Sequence, residues 1–299
     1  MKSVILLPAI AVLFVTSVMG AGPVPARWTL VWNDEFNGTE IDHAKWSFET
    51  GNGFKADEGM WIGGWGNNEL QFYTSRPANA YTKDGALHIR AIKEEYFGCA
   101  YTSARLLTKG RFSKCYGRIE FKAKLPAGHG LWPALWLLPA DNVYGSWAAS
   151  GEIDVLEARG QEPNKVSGTI HYGSRWPANE HSGDEYKFPA GADFTTYHIY
   201  TIEWDSSAIR WYVDGNLYST KKDWWSCNKV DSKQQGVRPQ AEADKNPKPA
   251  PFDRPFYLIM NLAVGGNFVG AVGKDTVFPT EMMVDYVRVY DPQPRGLKQ

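Results

Sequence analysis

The stretch Gly117-Arg118-Ile119-Glu120-Phe121-Lys122-Ala123-Lys124 alternates apolar and polar side chains along its length. A period of two predicts a β-strand that turns one face to a core and the other to solvent. Four further segments repeat this pattern with β-branched and aromatic residues, namely 87–92, 197–204, 209–213 and 283–290. Asp214-Gly215, directly after one of them, is the signal of a tight hairpin.

No segment shows a long helical period, and no repeat or linker divides residues 21–299. Many strands without intervening helices predict an all-β fold, a two-sheet antiparallel β-sandwich, in a single domain. Residues 224–254 are polar, contain Pro247, Pro249 and Pro251, and lack the strand pattern. We expect this segment to be a long surface loop, and its plainest interpretation is a flexible insertion without a role.

At the N-terminus, Lys2 precedes an apolar run over residues 4–15 and small residues up to Ala21. This order is typical of a secretory signal peptide, here residues 1–20, and the run is too short to span a bilayer. The sequence therefore predicts a secreted, extracellular protein whose mature domain covers residues 21–299 and does not enter a membrane.

The chain has three cysteines, Cys99, Cys115 and Cys227. Because an exported protein can form disulfides, two of them are candidates for a bridge. Cys99 and Cys115 flank a hairpin-like segment, residues 101–114, so we predict that they pair and leave Cys227 unpaired.

The charges of the chain nearly cancel, with 32 Lys and Arg against 33 Asp and Glu and a net charge of −1. A protein that binds nucleic acid or an anionic membrane normally carries a basic excess, so neither partner is expected. Aromatic residues make up 14% of the chain and include 13 Trp. Indole rings fill cores, but they also present flat apolar faces on which sugar rings stack, which favours a carbohydrate partner.

The segment Gly151-Glu152-Ile153-Asp154-Val155-Leu156-Glu157 places three carboxylates among strong strand-forming residues. In a regular strand Glu152 and Asp154 share a face, and Glu157 points to the opposite one. A β-bulge at Val155-Leu156 would return Glu157 to the first face, and bulges are common beside active sites. Two long side chains leaning over a short one could then bring their carboxyl groups to about 5–5.5 Å, the separation found in retaining glycosidases.

Three carboxylates on one face repel one another, so we expect at least one proton to be held there above the ordinary carboxylate pKa. An ionised carboxylate beside a protonated one is the pair that glycoside cleavage requires. The alternative interpretation is a solvated strand edge that carries three acids.

At these residues the sequence resembles glycoside hydrolase family 16, in the laminarinase-type branch of endo-β-1,3-glucanases. The six-residue spacing from Glu152 to Glu157 is similar to that branch, whereas a five-residue form is more typical of lichenases. The resemblance extends over nearly the whole mature chain and includes Trp32-Asn33-Asp34-Glu35-Phe36, Asn67-Asn68-Glu69-Leu70-Gln71-Phe72-Tyr73 and the segments 103–105, 116–118, 131–139, 261–266 and 285–290.

The resemblance implies a jelly roll of the concanavalin A-like type, with a curved sheet that forms an open substrate cleft. It also implies that Glu152 is the nucleophile and Glu157 the general acid/base. Asp154, between them, would tune the nucleophile by sharing a hydrogen bond.

Five further residues match positions beside the cleft of that family. Trp132 and Trp136 match aromatic positions where sugar rings stack, Asn67 and Arg105 match polar substrate contacts, and His171 matches a histidine near the acid/base. The sequence departs from the family where Phe268-Val269-Gly270 follows Asn267, since the family often has Trp-Pro-Gly there.

Many members of the family carry a structural calcium. The matching ligands here are the Asp285 side chain and the backbone carbonyl groups of Glu35 and Gly85, and oxygen ligands suit this hard cation. No cofactor is expected to take part in catalysis.

The function implied is endo-hydrolysis of β-1,3-glucosidic bonds in laminarin-like β-glucans, with retention of configuration, by a monomer. A non-catalytic β-glucan recognition protein is the first alternative, but such relatives lack the acids that Glu152 and Glu157 supply. The second alternative is a transglycosylase or a hydrolase of lichenan, agar or carrageenan, because cleft loops decide substrate choice.

Overall fold

A computed structural model describes residues 28–56 and 59–293 of the chain. The predicted signal peptide, residues 1–20, lies outside the described residues and stays a prediction. Within the two described ranges, no helix is long and apolar enough to cross a membrane.

The described residues form nineteen strands and two three-residue 3-10 turns, Gly64–Gly66 and Glu242–Asp244. In chain order the strands are β1 (Trp28–Asp34), β2 (Ser47–Glu49), β3 (Gly53–Lys55), β4 (Trp61–Gly63), β5 (Gln71–Tyr73), β6 (Ala80–Lys83), β7 (Ala86–Tyr96), β8 (Cys99–Ser103), β9 (Arg105–Leu107), β10 (Gly117–Lys124), β11 (Leu131–Pro139), β12 (Glu152–Glu157), β13 (Lys165–Gly173), β14 (Asn179–Lys187), β15 (His198–Trp204), β16 (Ile209–Val213), β17 (Asn216–Lys221), β18 (Phe256–Val264) and β19 (Thr280–Pro292).

Two large sheets make up the sandwich. The first has ten strands in the order β17-β16-β15-β10-β19-β7-β8-β5, with β1 paired to β19 and β6 paired to β7. The second has seven strands in the order β14-β13-β12-β11-β18-β9-β2, and β3 and β4 form a separate hairpin. β5 and β8 run parallel, while the pairs within the seven-stranded sheet are antiparallel. The predicted all-β jelly-roll sandwich is confirmed.

The local signals in the sequence explain several of these elements. Residues 117–124 and 209–213, predicted as strands, coincide with β10 and β16. Between β16 and β17, Asp214 and Gly215 have φ angles of 50° and 78°. A two-residue hairpin of this kind needs positive φ at both positions, which Asp tolerates and Gly adopts freely.

The core lies between the two sheets and fixes which side chains are left for the outer surface. Leu131, Leu135 and Leu137 of β11 and Phe121 of β10 are fully buried in one apolar cluster. Because side chains alternate along a strand, Trp132 and Trp136 of β11 turn to the opposite, outer face of the seven-stranded sheet. That face carries the site described below.

The predicted disulfide between Cys99 and Cys115 is wrong, since Cys99, Cys115 and Cys227 are all free thiols. The segment between the first two is not a hairpin. β8 belongs to the ten-stranded sheet and β9 to the seven-stranded one, so the chain crosses between sheets at residue 104. This crossing carries Cys115 away from Cys99, to a place beside Asp253.

The long segment 224–254 is a surface loop only in its middle. Ser226 and Cys227 at one end, and Ala250 and Phe252 at the other, are fully buried. Its first part also pairs with the sheet, because Ser226 forms a parallel β-bridge with Gly173. The interpretation as a plain surface insertion is therefore wrong for both ends.

Candidate active site

A bulge in β12 sets the direction of the three carboxylates. On one side, Leu156 pairs with Leu135 and Asp154 with Trp136, so Val155 has no partner in β11. On the other side, Asp154 pairs with Thr169 and Glu157 with Ser167, so an advance of three residues in β12 corresponds to only two in β13. The extra residue restores Glu157 to the face of Glu152 and Asp154, and the predicted bulge is confirmed.

Each of the two glutamates receives a hydrogen bond from an indole. The Trp147 Nε1–H donates to Oε2 of Glu152 at 3.0 Å. The Trp132 Nε1–H donates to Oε1 of Glu157, also at 3.0 Å. Both bonds hold a carboxyl group in one orientation, so the glutamates are positioned before a substrate arrives.

His171 lies on the Glu152 side of the cluster. Its Nε2 is 3.3 Å from Asp154 Oδ2 and 3.7 Å from Glu152 Oε1, and β-pairing places it opposite Glu152. His171 is also close enough to Glu157 for each charge to shift the pKa of the other, as expected for a histidine near the acid/base. Asp154 itself is almost completely buried, with 2% exposure.

Burial is the largest influence on both glutamates and raises the pKa of each. For Glu152, burial and the negative charge of Asp154 raise the pKa, and the positive charge of His171 lowers it. The net result is a pKa of about 7. The same causes raise the pKa of Glu157 to about 8, with the Glu152 charge adding to the rise. The cluster therefore holds a proton near neutral pH, as three neighbouring carboxylates require.

The same cluster has the dimensions of a metal site, since ligand atoms of Glu152, Asp154 and His171 lie within 4.8 Å of one another. Burial alone would lower the pKa of His171, but the hydrogen bond to Asp154 and the surrounding carboxylate charges raise it to about 9. A protonated imidazole has no lone pair to offer a cation. In this protonation state the arrangement suits proton transfer and charge balance.

The aromatic side chains predicted beside the site are both there, with different surroundings. Trp132 faces Phe268 at 5.0 Å between ring centroids. Trp136 donates its Nε1–H to Asn261 Oδ1 at 2.7 Å. Neither indole is fully buried, and both are directed to the outer face.

Arg105 is held between two indoles. Its guanidinium lies 4.7 Å from the ring centroids of Trp65 and Trp136, and its Nε is 2.7 Å from a Glu49 carboxylate oxygen. With 8% exposure, it has little surface left for a sugar. These contacts hold Arg105 beside Trp136, and the direct polar contact with substrate that the resemblance implies stays a prediction.

Asn67 belongs to a partly buried group of polar side chains at this end of the site. Its Nδ2–H donates to Glu69 Oε1 at 3.2 Å, and Gln71 donates to the other oxygen of Glu69 at 2.7 Å. Burial raises the pKa of Glu69 above its ordinary value. Glu69 therefore fixes the orientation of the Asn67 amide.

Several residues of the site carry little signal in the sequence. Trp147 lies five positions before Glu152 in a turn without a strand pattern, so its direction was not readable from the sequence. Asn261 sits in β18, where it donates to Tyr73 Oη at 3.0 Å and accepts from Trp136. A polar residue inside the apolar run 256–264 was the one available signal for it.

Of the residues matched to calcium, Asp285 lies in β19, while Glu35 and Gly85 lie just outside the ends of β1 and β7. The last residue of β1 that pairs with β19 is Asp34, opposite Val287, and the first residue of β7 that pairs with β19 is Leu87, opposite Val284. The chain positions just beyond these pairs, Glu35 and Gly85, therefore lie near Asp285. Two carbonyl groups and a carboxylate suit a hard cation. The Asp285 carboxylate is also 2.6 Å from the Lys122 ammonium, so a cation there would have to share it.

Two glutamates of raised pKa, brought to one face of a β-sandwich among indole rings, define a glycoside hydrolase. Comparison with known proteins agrees with this class. The chain belongs to glycosyl hydrolases family 16, whose family model matches residues 67–241.

Three relatives illustrate the similarity. A glucan endo-1,3-beta-glucosidase A1 of Niallia circulans is 48% identical over 91% of this chain, which spans 39% of that protein's length. A beta-glucanase of Rhodothermus marinus is 41% identical, with 88% of this chain and 85% of the relative covered. The catalytic domain of an endo-1,3-beta-glucanase (laminarinase) from Thermotoga petrophila is 40% identical with a TM-score of 0.74, over 90% of this chain and all of that one.

Proposed function

We propose that this chain hydrolyses internal β-1,3-glucosidic bonds of laminarin-like β-glucans. The observation that carries the proposal is the bulge in β12, which puts Glu152 and Glu157 on one face with separate hydrogen-bond donors. The names of the three relatives, all glucanases or glucosidases, support the substrate class.

The mechanism that we propose is double displacement with retention. Glu152 attacks the anomeric carbon while Glu157 gives its proton to the departing glucosidic oxygen, which leaves a glycosyl ester on Glu152. Water then attacks the same carbon, Glu157 takes its proton, and Glu152 is released as a carboxylate. The product keeps the β configuration because the carbon is inverted twice.

The charges of the cluster fit the change of role that Glu157 must make. In the free enzyme burial first, and then the negative charges of Asp154 and Glu152, raise the pKa of Glu157, which favours the acid form. Once Glu152 is esterified its charge is gone, so the pKa of Glu157 falls and it can serve as a base. The hydrogen bond from Trp132 holds the Glu157 carboxyl group in place through both steps.

A panel of polysaccharides tests the substrate. We expect laminarin to be cleaved fastest, mixed β-1,3/1,4-glucan more slowly, and cellulose hardly at all, because the six-residue carboxylate spacing is of the laminarinase type. Chromatography of the released oligosaccharides measures both rate and endo-action. Faster cleavage of agar or carrageenan than of laminarin would overturn the proposed substrate.

We also propose that calcium, held by Asp285 and the carbonyl groups of Glu35 and Gly85, stabilises the fold without entering the reaction. These residues lie on the ten-stranded sheet, away from β12 in the other sheet. An excess of chelator should lower the melting temperature by about 2–4 °C per kcal/mol of lost binding energy and leave activity at low temperature intact. An identical melting curve with chelator and with added calcium would eliminate the site.

A further inference from the structure

Trp176 is an indole that the proposed reaction does not use. It lies in the turn between β13 and β14, and 63% of its surface is exposed. A second exposed indole, Trp147, lies next to it, and aromatic rings grouped beside a site are typical of ligand contacts.

The backbone of Trp176 is fixed from two sides. Its N–H donates to the carbonyl oxygen of Trp147 at 3.1 Å, and its own carbonyl accepts from the Gly236 N–H at 3.3 Å. A Cβ on Gly236 would come within 2.0 Å of the Arg175 carbonyl oxygen, so only glycine allows this approach. The exposed ring therefore stands on an ordered support.

That support comes from the long segment 224–254. Besides Gly236, its buried Ser226 donates from Oγ to the Ala149 carbonyl at 2.6 Å, and Asn246 donates to the same hydroxyl at 2.9 Å. Ala149 lies in the turn that carries Trp147. The segment thus holds both the turn of Trp147 and the turn of Trp176.

Trp176 is continuous with the catalytic cluster. Trp147, 40% exposed, donates to Glu152 and contacts Trp176 through the backbone. β13 runs antiparallel to β12 with His171 opposite Glu152, so the turn after β13 lies beyond Glu152 on the side away from Glu157. The two indoles extend the site outward from the proposed nucleophile.

We propose that the indole of Trp176 stacks on an outer glucosyl residue of the bound glucan, beyond the sugar that Glu152 attacks. The inference rests on the proposed function and deepens it, because it assigns a chain-length preference to one side chain. The apolar C–H face of a pyranose covers an indole without needing a charged partner. The segment 224–254 fixes the position of this indole relative to Glu152 through its hydrogen bonds to the turns of Trp147 and Trp176.

The test compares Trp176→Ala with wild type on β-1,3-gluco-oligosaccharides of increasing length. We expect kcat/KM for the longest chains to fall about tenfold, mainly through KM, and to be unchanged for the shortest chains that are cleaved. Trp176→Tyr should restore most of the loss, because it keeps a flat ring. Phe97→Ala is the matched control, since Phe97 is 78% exposed at the β7–β8 turn of the other sheet.

Several outcomes would contradict the proposed stacking role of Trp176. Equal kcat/KM for wild type and Trp176→Ala at every length is one, and an equal loss at every length is another, because a structural defect has no length dependence. Unaltered melting of the variant excludes misfolding. A wild-type dimer, seen by sedimentation and lost in Trp176→Ala, would assign the ring to self-association. If wild type leaves all β-1,3-glucans intact, the proposed function itself fails, which is a distinct result.

Discussion

Replacing Glu152 by Gln is expected to lower hydrolysis of laminarin by roughly 10⁴-fold or more, because an amide cannot attack the anomeric carbon. The amide keeps the shape of the side chain and can still accept the Trp147 hydrogen bond, so the site should persist. Glucan binding, measured by calorimetry, should therefore stay close to that of wild type. Glu95→Gln is the control, since Glu95 lies exposed on β7 in the other sheet.

The stereochemistry of the wild-type reaction checks the same role for Glu152. Proton NMR of the first-formed product should show the β-anomer, which then mutarotates. An α-anomer appearing first would mean inversion, with water between the carboxyl groups. In that case Glu152 would not be the nucleophile, and substantial residual hydrolysis in Glu152→Gln would lead to the same conclusion.

Replacing Glu157 by Gln is expected to lower laminarin hydrolysis by roughly 10²–10⁴-fold, because the leaving oxygen then receives no proton. An aryl glycoside with an acidic phenol needs no such proton, so its first step should stay fast. Without a base for the second step, the glycosyl ester accumulates. Stopped-flow absorbance should show a burst of phenol close to one per enzyme molecule, followed by slow turnover.

The pH dependence of the same variant separates the two glutamates. In wild type, activity rises as Glu152 loses its proton and falls as Glu157 loses its own. With pKa values raised to about 7 and about 8, the maximum should lie near neutral pH, well above the range of ordinary carboxyl groups. In Glu157→Gln the phenol burst should lose only the alkaline limb. An alkaline limb that persists would assign the acid to another group.

The sequence allowed the centre of the site to be predicted because strand geometry is simple. Side chains alternate, so three acids at positions 152, 154 and 157 can share a face only through an extra residue, and the structure has that bulge. The strands over 117–124 and 209–213 followed from the same rule. Both inferences depend on neighbours within one segment.

The wrong or missing predictions depend on distant parts of the chain. The Cys99–Cys115 pair failed because the chain crosses between sheets after β8, which no local pattern indicates. The position of Arg105 between Trp65 and Trp136 also depends on two segments that are remote from it in the chain. Trp147 and Trp176 take their positions from turns, where backbone direction depends on contacts made elsewhere.

The bulge in β12 also bears on how this motif tolerates insertions and deletions. In a Glu-x-Asp-x-Glu strand without a bulge, ordinary alternation already puts the last acid on the same face as the first. Inserting one residue after the aspartate would normally point the last glutamate to the opposite face. Here the bulge at Val155 and Leu156 accommodates the extra residue, so Glu157 points to the same face as Glu152. A strand of this kind can therefore gain or lose one residue between the aspartate and the last glutamate and still present all three acids on one face.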